Sequence, residues 1–122
     1  MSELIKKQDY HTYFDDISKF FEDDLVEIKV IGLKLGDQVE ADYIALKGIT
    51  YENKADEIYL YLDDGLEHVI RNPVDVYVDE GEFGLNEIVI KCAHGHLHLV
   101  KFKHAIAVKK WFKKSLYRSW NV

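Results

Sequence analysis

The stretch from Gly48 to Ile70, GITYENKADEIYLYLDDGLEHVI, constrains the fold more than any other part of the sequence. Within residues 58–62, Ile and Leu alternate with two tyrosines, and alternation with a period of two is typical of a β-strand with two different faces. The next residues, 63–65, are Asp-Asp-Gly, which tolerate the positive φ of a tight turn. A second apolar run then reaches Ile70. The stretch therefore predicts the central hairpin of an antiparallel sheet.

Size and composition favour one soluble domain spanning residues 1–122. The 122 residues are 48% hydrophobic and 13% aromatic, which is enough material for a core. Cys92 is the single cysteine, so no internal disulfide can form, and this fits a reducing cytoplasm. The sequence has no apolar segment of signal-peptide length near its start and no run of 18 apolar residues. We therefore expect a cytoplasmic location.

The pattern of apolar residues predicts an α+β fold with three parts. Residues 10–23 have the spacing of an amphipathic helix, and residues 105–120 have the spacing of a second, basic amphipathic helix. Between them, residues 25–104 predict a curved, mainly antiparallel sheet of about six strands, because the apolar runs follow one another through short turns. Phase changes beside Gly32 and Gly48 indicate strong curvature, which is compatible with a small SH3- or Sm-like barrel.

Two turns fix the expected register of this sheet. Gly36-Asp37 has the sequence of a two-residue turn, so a strand is expected to run up to residue 35 and another to begin at residue 38. His94-Gly95 predicts a second turn, which pairs Cys92 with Leu97. Alternation then sends Cys92 and His98 to opposite faces of the sheet.

Charge is distributed unevenly along the chain. All 22 acidic residues lie between Glu3 and Glu87, whereas 7 of the 16 Lys and Arg lie in residues 101–122. The net charge is therefore −13 for residues 1–100 and +7 for the remainder. An acidic body followed by a basic segment favours electrostatic contacts with partners.

The basic segment is the predicted contact surface. Its aromatic and cationic side chains are typical of a helix that binds a protein or an anionic membrane surface, or that docks on its own or a sister chain. These residues are Lys109, Lys110, Trp111, Phe112, Lys113, Lys114, Arg118 and Trp120. Nucleic acid is a disfavoured partner because the body is acidic, and a homo-oligomer is compatible with the sequence.

Several ordered segments of the β body resemble a small bacterial family of unknown function. They are Gly36-Asp37-Gln38, Gly48-Ile49-Thr50-Tyr51, the segment LEHVIRNP at residues 66–73, and Asp79-Glu80-Gly81. The resemblance covers about residues 25–104. It implies no activity, because none is assigned to the family.

Two clusters of polar residues provide alternative hypotheses. Cys92, His94, His96 and His98 offer four candidate metal ligands within seven residues. Because alternation separates the cysteine from the histidines, we expect a weak surface site at most, formed by His94, His96 and His98.

The second cluster is His68 with Arg71, where a guanidinium would bind an anion and an imidazole would transfer a proton. The competing interpretation is that His68 pairs with a tyrosine and that Arg71 bridges to a carboxylate.

The sequence as a whole favours a non-enzymatic interaction module. Its few serines and threonines lie outside any nucleophile motif, and its glycines form no phosphate-binding loop, so neither a catalytic residue nor a cofactor is predicted. The alternatives are a metal-binding protein that uses residues 92–98 and a small-barrel nucleic-acid-binding domain.

Overall fold

The computed structural model of the chain describes residues 2–32, 34 and 36–107. Within these residues the fold consists of one short α-helix, two single-turn 3₁₀ segments and eight strands. In chain order they are β1 (Ser2–Ile5), a 3₁₀ turn (Lys7–Asp9), α1 (Tyr10–Ser18), β2 (Asp24–Gly32), β3 (Gly36–Glu52), β4 (Glu57–Leu62), a 3₁₀ turn (Asp63–Gly65), β5 (Glu67–Arg71), β6 (Pro73–Gly81), β7 (Gly84–Cys92) and β8 (Leu97–Ile106).

All eight strands form one antiparallel sheet in the order β1-β6-β7-β8-β2-β3-β4-β5. The predicted central hairpin is confirmed as β4 and β5, with Ile58 opposite Ile70. Its turn contains Asp64 at φ 60° and Gly65 at φ 71°, the positive values that the Asp-Asp-Gly sequence allows.

The sheet curls so strongly that its two ends approach each other. β5 is the last strand at one end and β6 is next to last at the other, yet only Asn72 separates them in the chain. Two peptide units span about 7 Å at most. Asn72 fixes this corner, because its N–H donates to Asp56 O (2.9 Å) and its carbonyl accepts from Ala93 N–H (2.9 Å). Asn72 has φ 53°, a conformation that asparagine tolerates better than most residues.

α1 packs against the inner face of the sheet through its aromatic stripe. Tyr10, Tyr13, Phe14 and Ile17 are all at most 2% exposed, and burial of each such side chain contributes roughly 1.5–3 kcal/mol. The helix also makes a polar contact at its end: the Ser18 hydroxyl donates to Phe14 O (2.7 Å) and accepts from Ile49 N–H (3.0 Å).

The predicted fold class was wrong in three respects, and the first is the strand count. The sheet has eight strands, not about six, and it is not an SH3- or Sm-like barrel. One missed strand is β1, which lies before the helix and pairs with β6. β1 has four residues, with only Ile5 buried, so it lacks an alternating apolar pattern.

The second error concerns the length of the first helix. Residues 10–23 were predicted to be helical, but α1 ends at Ser18 and β2 begins at Asp24. Phe20 and Phe21 pack against the core from the connection, which explains why the sequence retained a helical apolar spacing there.

The third error is the C-terminal helix predicted over residues 105–120. Ala105 and Ile106 belong to β8, where Ile106 pairs with Leu85 of β7. The structure therefore supports no helix at that position, and residues 108–120 lie outside the described residues.

The loop between β2 and β3 also differs from its prediction. Gly32 pairs directly with Gly36, so the turn lies before Gly36 rather than at Gly36-Asp37. Among the described residues, no helix has the length and apolar character needed to cross a membrane.

Candidate functional site

A pair of histidines joins two strands that are far apart in the sheet. His68 lies on β5 and His98 on β8, and three strands separate them in the sheet order. Their ring nitrogens are nevertheless hydrogen-bonded, with His68 Nε2 2.9 Å from His98 Nδ1 and ring centroids 5.1 Å apart. The inner faces of β5 and β8 therefore meet at this point. We call His68 and His98 the histidine pair.

Register explains why both rings point inward. His98 is opposite Ile90 and shares its parity with the buried Val100 and Phe102. His68 is opposite the buried Leu60. Both positions belong to the apolar faces of their strands, so the two polar rings point into the interior, where they form a hydrogen bond with each other.

Burial makes both imidazoles difficult to protonate. Burial, which has the largest effect, and repulsion of a second positive charge by the neighbouring His68 and His96 together lower the pKa of His98 to about 4. Burial also lowers the pKa of His68, against a smaller opposing effect of the Glu40 carboxylate. The histidine pair is therefore neutral at pH 7, with one nitrogen donating and the other accepting.

His96 lies beside the pair at the same end of the sheet. Its ring rests against Gly32, where a Cβ atom would lie only 2.7 Å from His96 Cδ2. A glycine at position 32 thus leaves the space that the ring occupies. His68, His96 and His98, together with the Glu40 carboxylate, form one polar region within electrostatic range.

The predicted register of β7 and β8 was wrong by one residue. Cys92 N–H donates to His96 O (3.0 Å), so the turn comprises residues 93–95 and not His94-Gly95 alone. A one-residue change of register exchanges the faces of a strand. His98 therefore shares the buried face with Cys92 instead of pointing away from it.

The proposed metal ligands at residues 92–98 are nevertheless dispersed. Cys92 is buried in the core, His94 is exposed in the turn, and His96 is half-buried. No three His, Cys, Asp or Glu side chains within residues 2–32, 34 and 36–107 are placed around a point that could hold a metal ion.

The predicted polar site of His68 and Arg71 is not assembled. His68 points inward, whereas the Arg71 side chain is 71% exposed and its Nε lies 3.0 Å from Glu57 Oε2. Glu57 is the cross-strand neighbour of Arg71. The competing interpretation is thus right about the ion pair of Arg71, but His68 pairs with a histidine and not with a tyrosine.

A shallow cleft of about 430 Å³ lies where the N-terminal 3₁₀ turn meets β3, and sequence reasoning did not identify it. Its lining residues are Lys7, Gln8, His11, Tyr51 and Asn53. They come from two segments that are 40 positions apart at their nearest residues, His11 and Tyr51, so only the folded sheet brings them together.

Hydrogen bonds already occupy the polar groups beside this cleft. Lys7 Nζ donates to Asp56 Oδ2 (3.1 Å) and to Pro73 O (3.2 Å), and the Tyr51 hydroxyl donates to Asp56 Oδ1 (2.6 Å). These bonds hold the pKa of Asp56 below its usual value. Burial and the bond to Asp56 raise the pKa of Tyr51 to about 12, so this phenol is a poor nucleophile at pH 7.

The outer face of the sheet carries apolar side chains that the register places in a single row. We call these residues the outer apolar row. From one end to the other they are Leu4, Tyr77, Val89, Leu99 and Val39, with Lys29 between Leu99 and Val39. Leu4 is 53% exposed, Val39 54% and Tyr77 40%.

An acidic row runs parallel to it, two residues further along each strand. Across β6, β7, β8 and β2 this row consists of Asp79, Glu87, Lys101 and Glu27. Partial burial and the nearby Asp79 raise the pKa of Glu87, while Lys101 opposes the shift. The row therefore has three carboxylates and one ammonium group, and it attracts cations.

The largest group of predicted contact residues cannot be placed. Lys109, Lys110, Trp111, Phe112, Lys113, Lys114, Arg118 and Trp120 all lie outside the described residues. Their proposed contacts stay predictions.

In the described residues, these features define a curved antiparallel sheet with an N-terminal helix. The chain belongs to a family of unknown function (DUF5335), whose model matches residues 1–111. This confirms the resemblance to a family without an assigned activity and extends it to β1 and α1. An uncharacterized protein of Aquifex aeolicus (strain VF5) is 30% identical over 105 residues, which cover 86% of this chain and 95% of that protein. No solved structure matches the chain.

Proposed function

We propose that this domain is a non-enzymatic protein-binding module of the cytoplasm and that the outer apolar row is its contact surface. The observation that carries this proposal is the alignment of five apolar side chains on the solvent-facing side of the sheet. Scattered exposed apolar residues are normal in soluble proteins. Here four of the five lie on neighbouring strands, with Lys29 before the fifth, and an aligned apolar patch bordered by charges is a feature of interaction surfaces.

The dimensions of the row suit an extended segment of a partner. The row crosses six strands, which at about 4.8 Å between strands gives a length of about 24 Å, or about seven residues of extended chain. Apolar side chains of the partner would bury Tyr77 and the exposed parts of Leu4 and Val39. Each square ångström of apolar surface removed from water contributes about 25 cal/mol.

Charge selects the partner. The row formed by Asp79, Glu87, Lys101 and Glu27 lies beside the apolar row on four of its six strands. Lys or Arg residues on the partner segment would complement these carboxylates, and such complementarity contributes mainly to specificity and association rate. The expected partner is thus a protein segment with apolar side chains flanked by basic ones.

Binding of a synthetic peptide tests this proposal. The peptide has about seven residues and alternates Leu with Lys, and a second peptide carries Glu in place of every Lys. We expect NMR shift changes on β6, β7 and β8 with the basic peptide, weakened by salt, and none with the acidic one. Equal binding of both peptides, no binding, or shift changes confined to other surfaces would contradict the proposal.

A triple variant, with Leu4, Val39 and Tyr77 each replaced by Ser, should lose this binding. Since these side chains are exposed, the variant should remain folded.

The matched control replaces three exposed apolar residues outside the row, Leu66, Val74 and Phe83, which are 55%, 46% and 77% exposed. The control should bind like the wild type, and an equal loss in both variants would show that the row has no special role.

The basic residues at 109–118, with Trp111, Phe112 and Trp120, are proposed as a second contact, with a protein or an anionic membrane surface. A chain that ends at Ala107 tests this, because it leaves β8 complete through Ile106. Loss of binding to vesicles that contain anionic lipid, or loss of a protein partner, supports the proposal. If the shortened chain keeps every partner of the full chain, this second contact does not exist.

A further inference from the structure

The sequence that follows β8 has the composition that the outer apolar row requires of a partner. Residues 108–120, VKKWFKKSLYRSW, contain four lysines, one arginine and no acidic residue. Apolar and aromatic side chains stand between these basic residues. We call residues 108–120 the C-terminal segment. It matches the apolar segment with flanking basic residues that the proposed function assigns to a partner.

The C-terminal segment starts from a strand that carries both rows. β8 ends at Ile106, and along β8 the acidic row is crossed at Lys101 and the outer apolar row at Leu99. A chain that turns back from Ala107 therefore meets the acidic row first. At about 3.3 Å per residue, the acidic row lies about 20 Å from Ala107 and the outer apolar row about 26 Å.

The order of residues in the C-terminal segment agrees with this order of the rows. In an extended chain, Lys113 and Lys114 reach about 20–23 Å from Ala107, and Leu116 and Tyr117 reach about 30–33 Å. The two lysines can therefore reach the acidic row, and the two apolar residues can reach the outer apolar row with one or two residues left for a turn. The segment is long enough to do this without displacing a strand.

Charge along this path favours a basic segment. The path starts at a cleft of about 290 Å³, whose lining includes Glu22, Asp24 and residues 105–107. It then reaches the three carboxylates and one ammonium group of the acidic row. The cations near its start are Lys19, which also lines the cleft, and Lys103 on β8. Carboxylates therefore outnumber ammonium groups along the path, and they attract the lysines of the C-terminal segment.

We propose that the C-terminal segment occupies the outer apolar row of its own chain and competes there with an external partner. This inference rests on the proposed function, because it requires the row to be a binding surface. Lys113 and Lys114 pair with the carboxylates of the acidic row, and Leu116 and Tyr117 cover apolar side chains beyond it. The two contacts of the proposed function are then alternatives, since a partner that binds the C-terminal segment exposes the row.

The tether determines the size of the effect. A short linker gives a segment an effective concentration of about 1 mM at its site. A segment whose free peptide has a Kd of about 0.1 mM would then cover the row in about nine molecules of ten. The affinity of a competing peptide for the row falls about tenfold as a result.

Competition in the full-length chain tests the proposal. The probe is the synthetic peptide that alternates Leu with Lys, and its binding is followed by fluorescence anisotropy. The variant carries Lys113→Glu, Lys114→Glu, Leu116→Ser and Tyr117→Ser. We expect it to bind the peptide about tenfold more tightly than the wild type. All four positions follow the last described strand, so the sheet should remain folded in this variant.

The matched control replaces two exposed lysines in turns, Lys34 and Lys54, by Glu in the full-length chain. It changes the net charge by the same amount and leaves the C-terminal segment intact. The control should bind the peptide like the wild type. An equal gain of affinity in the control would show that net charge alone sets the affinity, and it would overturn the proposal.

Failure of this inference differs from failure of the proposed function. Equal binding of the peptide by the wild type and the variant would mean that the row is a binding surface that the C-terminal segment does not cover. Only this inference would then be overturned. Absence of binding by both proteins would refute the proposed function, and this inference with it.

Nuclear Overhauser effects distinguish the chain's own segment from that of a second copy. In the wild type we expect effects between the side chains of Leu116 or Tyr117 and those of Leu99 or Tyr77, with intensities that do not change on dilution. Effects between labelled and unlabelled molecules in a mixed sample would show a second copy as the occupant and contradict the proposal. Absence of any effect between the segment and the row would also contradict it.

Discussion

Replacement of Gly84 by Ala should be one of the most destabilising single changes outside the core side chains. Gly84 has φ +122°, and a Cβ atom built there would lie 2.1 Å from Ile106 O, 2.7 Å from Ile106 C and 3.1 Å from Ala107 Cα. All three are backbone atoms at the end of β8. They can move away only if the pairing of Leu85 with Ile106 is broken.

The magnitude follows from two contributions. A backbone conformation that is almost restricted to glycine costs about 1–3 kcal/mol when another residue adopts it. The contact with Ile106 O is more than 1 Å shorter than the closest usual C···O approach of about 3.3 Å. The strand end must therefore shift or detach, and together we expect a loss of about 3 kcal/mol or more in the free energy of unfolding.

Gly65 provides the matched control. It also has positive φ, at +71°, but no atom lies within 4 Å of the Cβ position. Gly65→Ala should therefore lower the free energy of unfolding only by the cost of placing a residue with a Cβ atom at positive φ, about 1–2 kcal/mol. In thermal unfolding followed by circular dichroism, we expect Gly84→Ala to lower Tm by about 10 °C or more and Gly65→Ala by about 5 °C.

Equal losses in the two variants would refute this reasoning. They would mean that the backbone of residues 106 and 107 does not lie against Gly84, and hence that β8 ends earlier than Ile106. The comparison of the two glycine variants thus tests whether β8 continues to Ile106, where the sequence predicted the start of a C-terminal helix.

Three further outcomes follow from the structure. Asn72 has φ 53°, so Asn72→Gly should leave the free energy of unfolding within about 0.5 kcal/mol of the wild type. Asn72→Val should lower it by about 2 kcal/mol, because a β-branched residue is strained at positive φ. Equal urea midpoints for the two variants would contradict this. For the histidine pair, the double change of His68 and His98 to Leu should be less destabilising than His98→Leu alone, since the single change leaves the His68 imidazole without its hydrogen-bond partner. A double-mutant cycle in which the two single effects simply add would refute the energetic coupling of the two histidines. Burial raises the pKa of Tyr10 from 10.0 to about 12, so the folded state keeps a proton that the unfolded state releases above pH 10. The free energy of unfolding should therefore fall by about 2 kcal/mol as pH rises from 10 to 12. Tyr10→Phe should reduce this dependence on pH, and an unchanged dependence would contradict the assignment to Tyr10.

Much of the sheet could be predicted from local sequence. The hairpin of β4 and β5, the start of β6 at Pro73, and the inward row of Ile88, Ile90 and Cys92 all follow from alternation and turn residues. These segments have a single apolar face, so only one register buries it.

The errors have a common physical cause, which is that tertiary contacts decided the local structure. β1 is too short to show a pattern, and it is defined by its pairing with β6. The end of β8 has the apolar spacing of a helix, but its pairing with Leu85 of β7 and the space beside Gly84 hold it as a strand.

The histidine pair was missed because two alternations compete in β8. Leu97 and Leu99 suggest that the odd positions are buried, whereas Val100 and Phe102 suggest the even ones. In the folded sheet the even positions are buried, and the three-residue turn at 93–95 sets the register that buries them. Continuation of the Val100 and Phe102 alternation back to His98 was the available signal. The partnership with His68 could not be predicted, because it depends on curling of the whole sheet.

The contact between His68 and His98 is the most direct test of the curled sheet. In a flat sheet of this order, three strands would separate the two rings by about 19 Å. We predict nuclear Overhauser effects between the ring protons of His68 and those of His98 in the full-length protein, together with effects from each ring to its cross-strand neighbour, Leu60 or Ile90. Observation of the cross-strand effects without any effect between the two rings would show that β5 and β8 do not meet, and the account of both the fold and the site would be wrong.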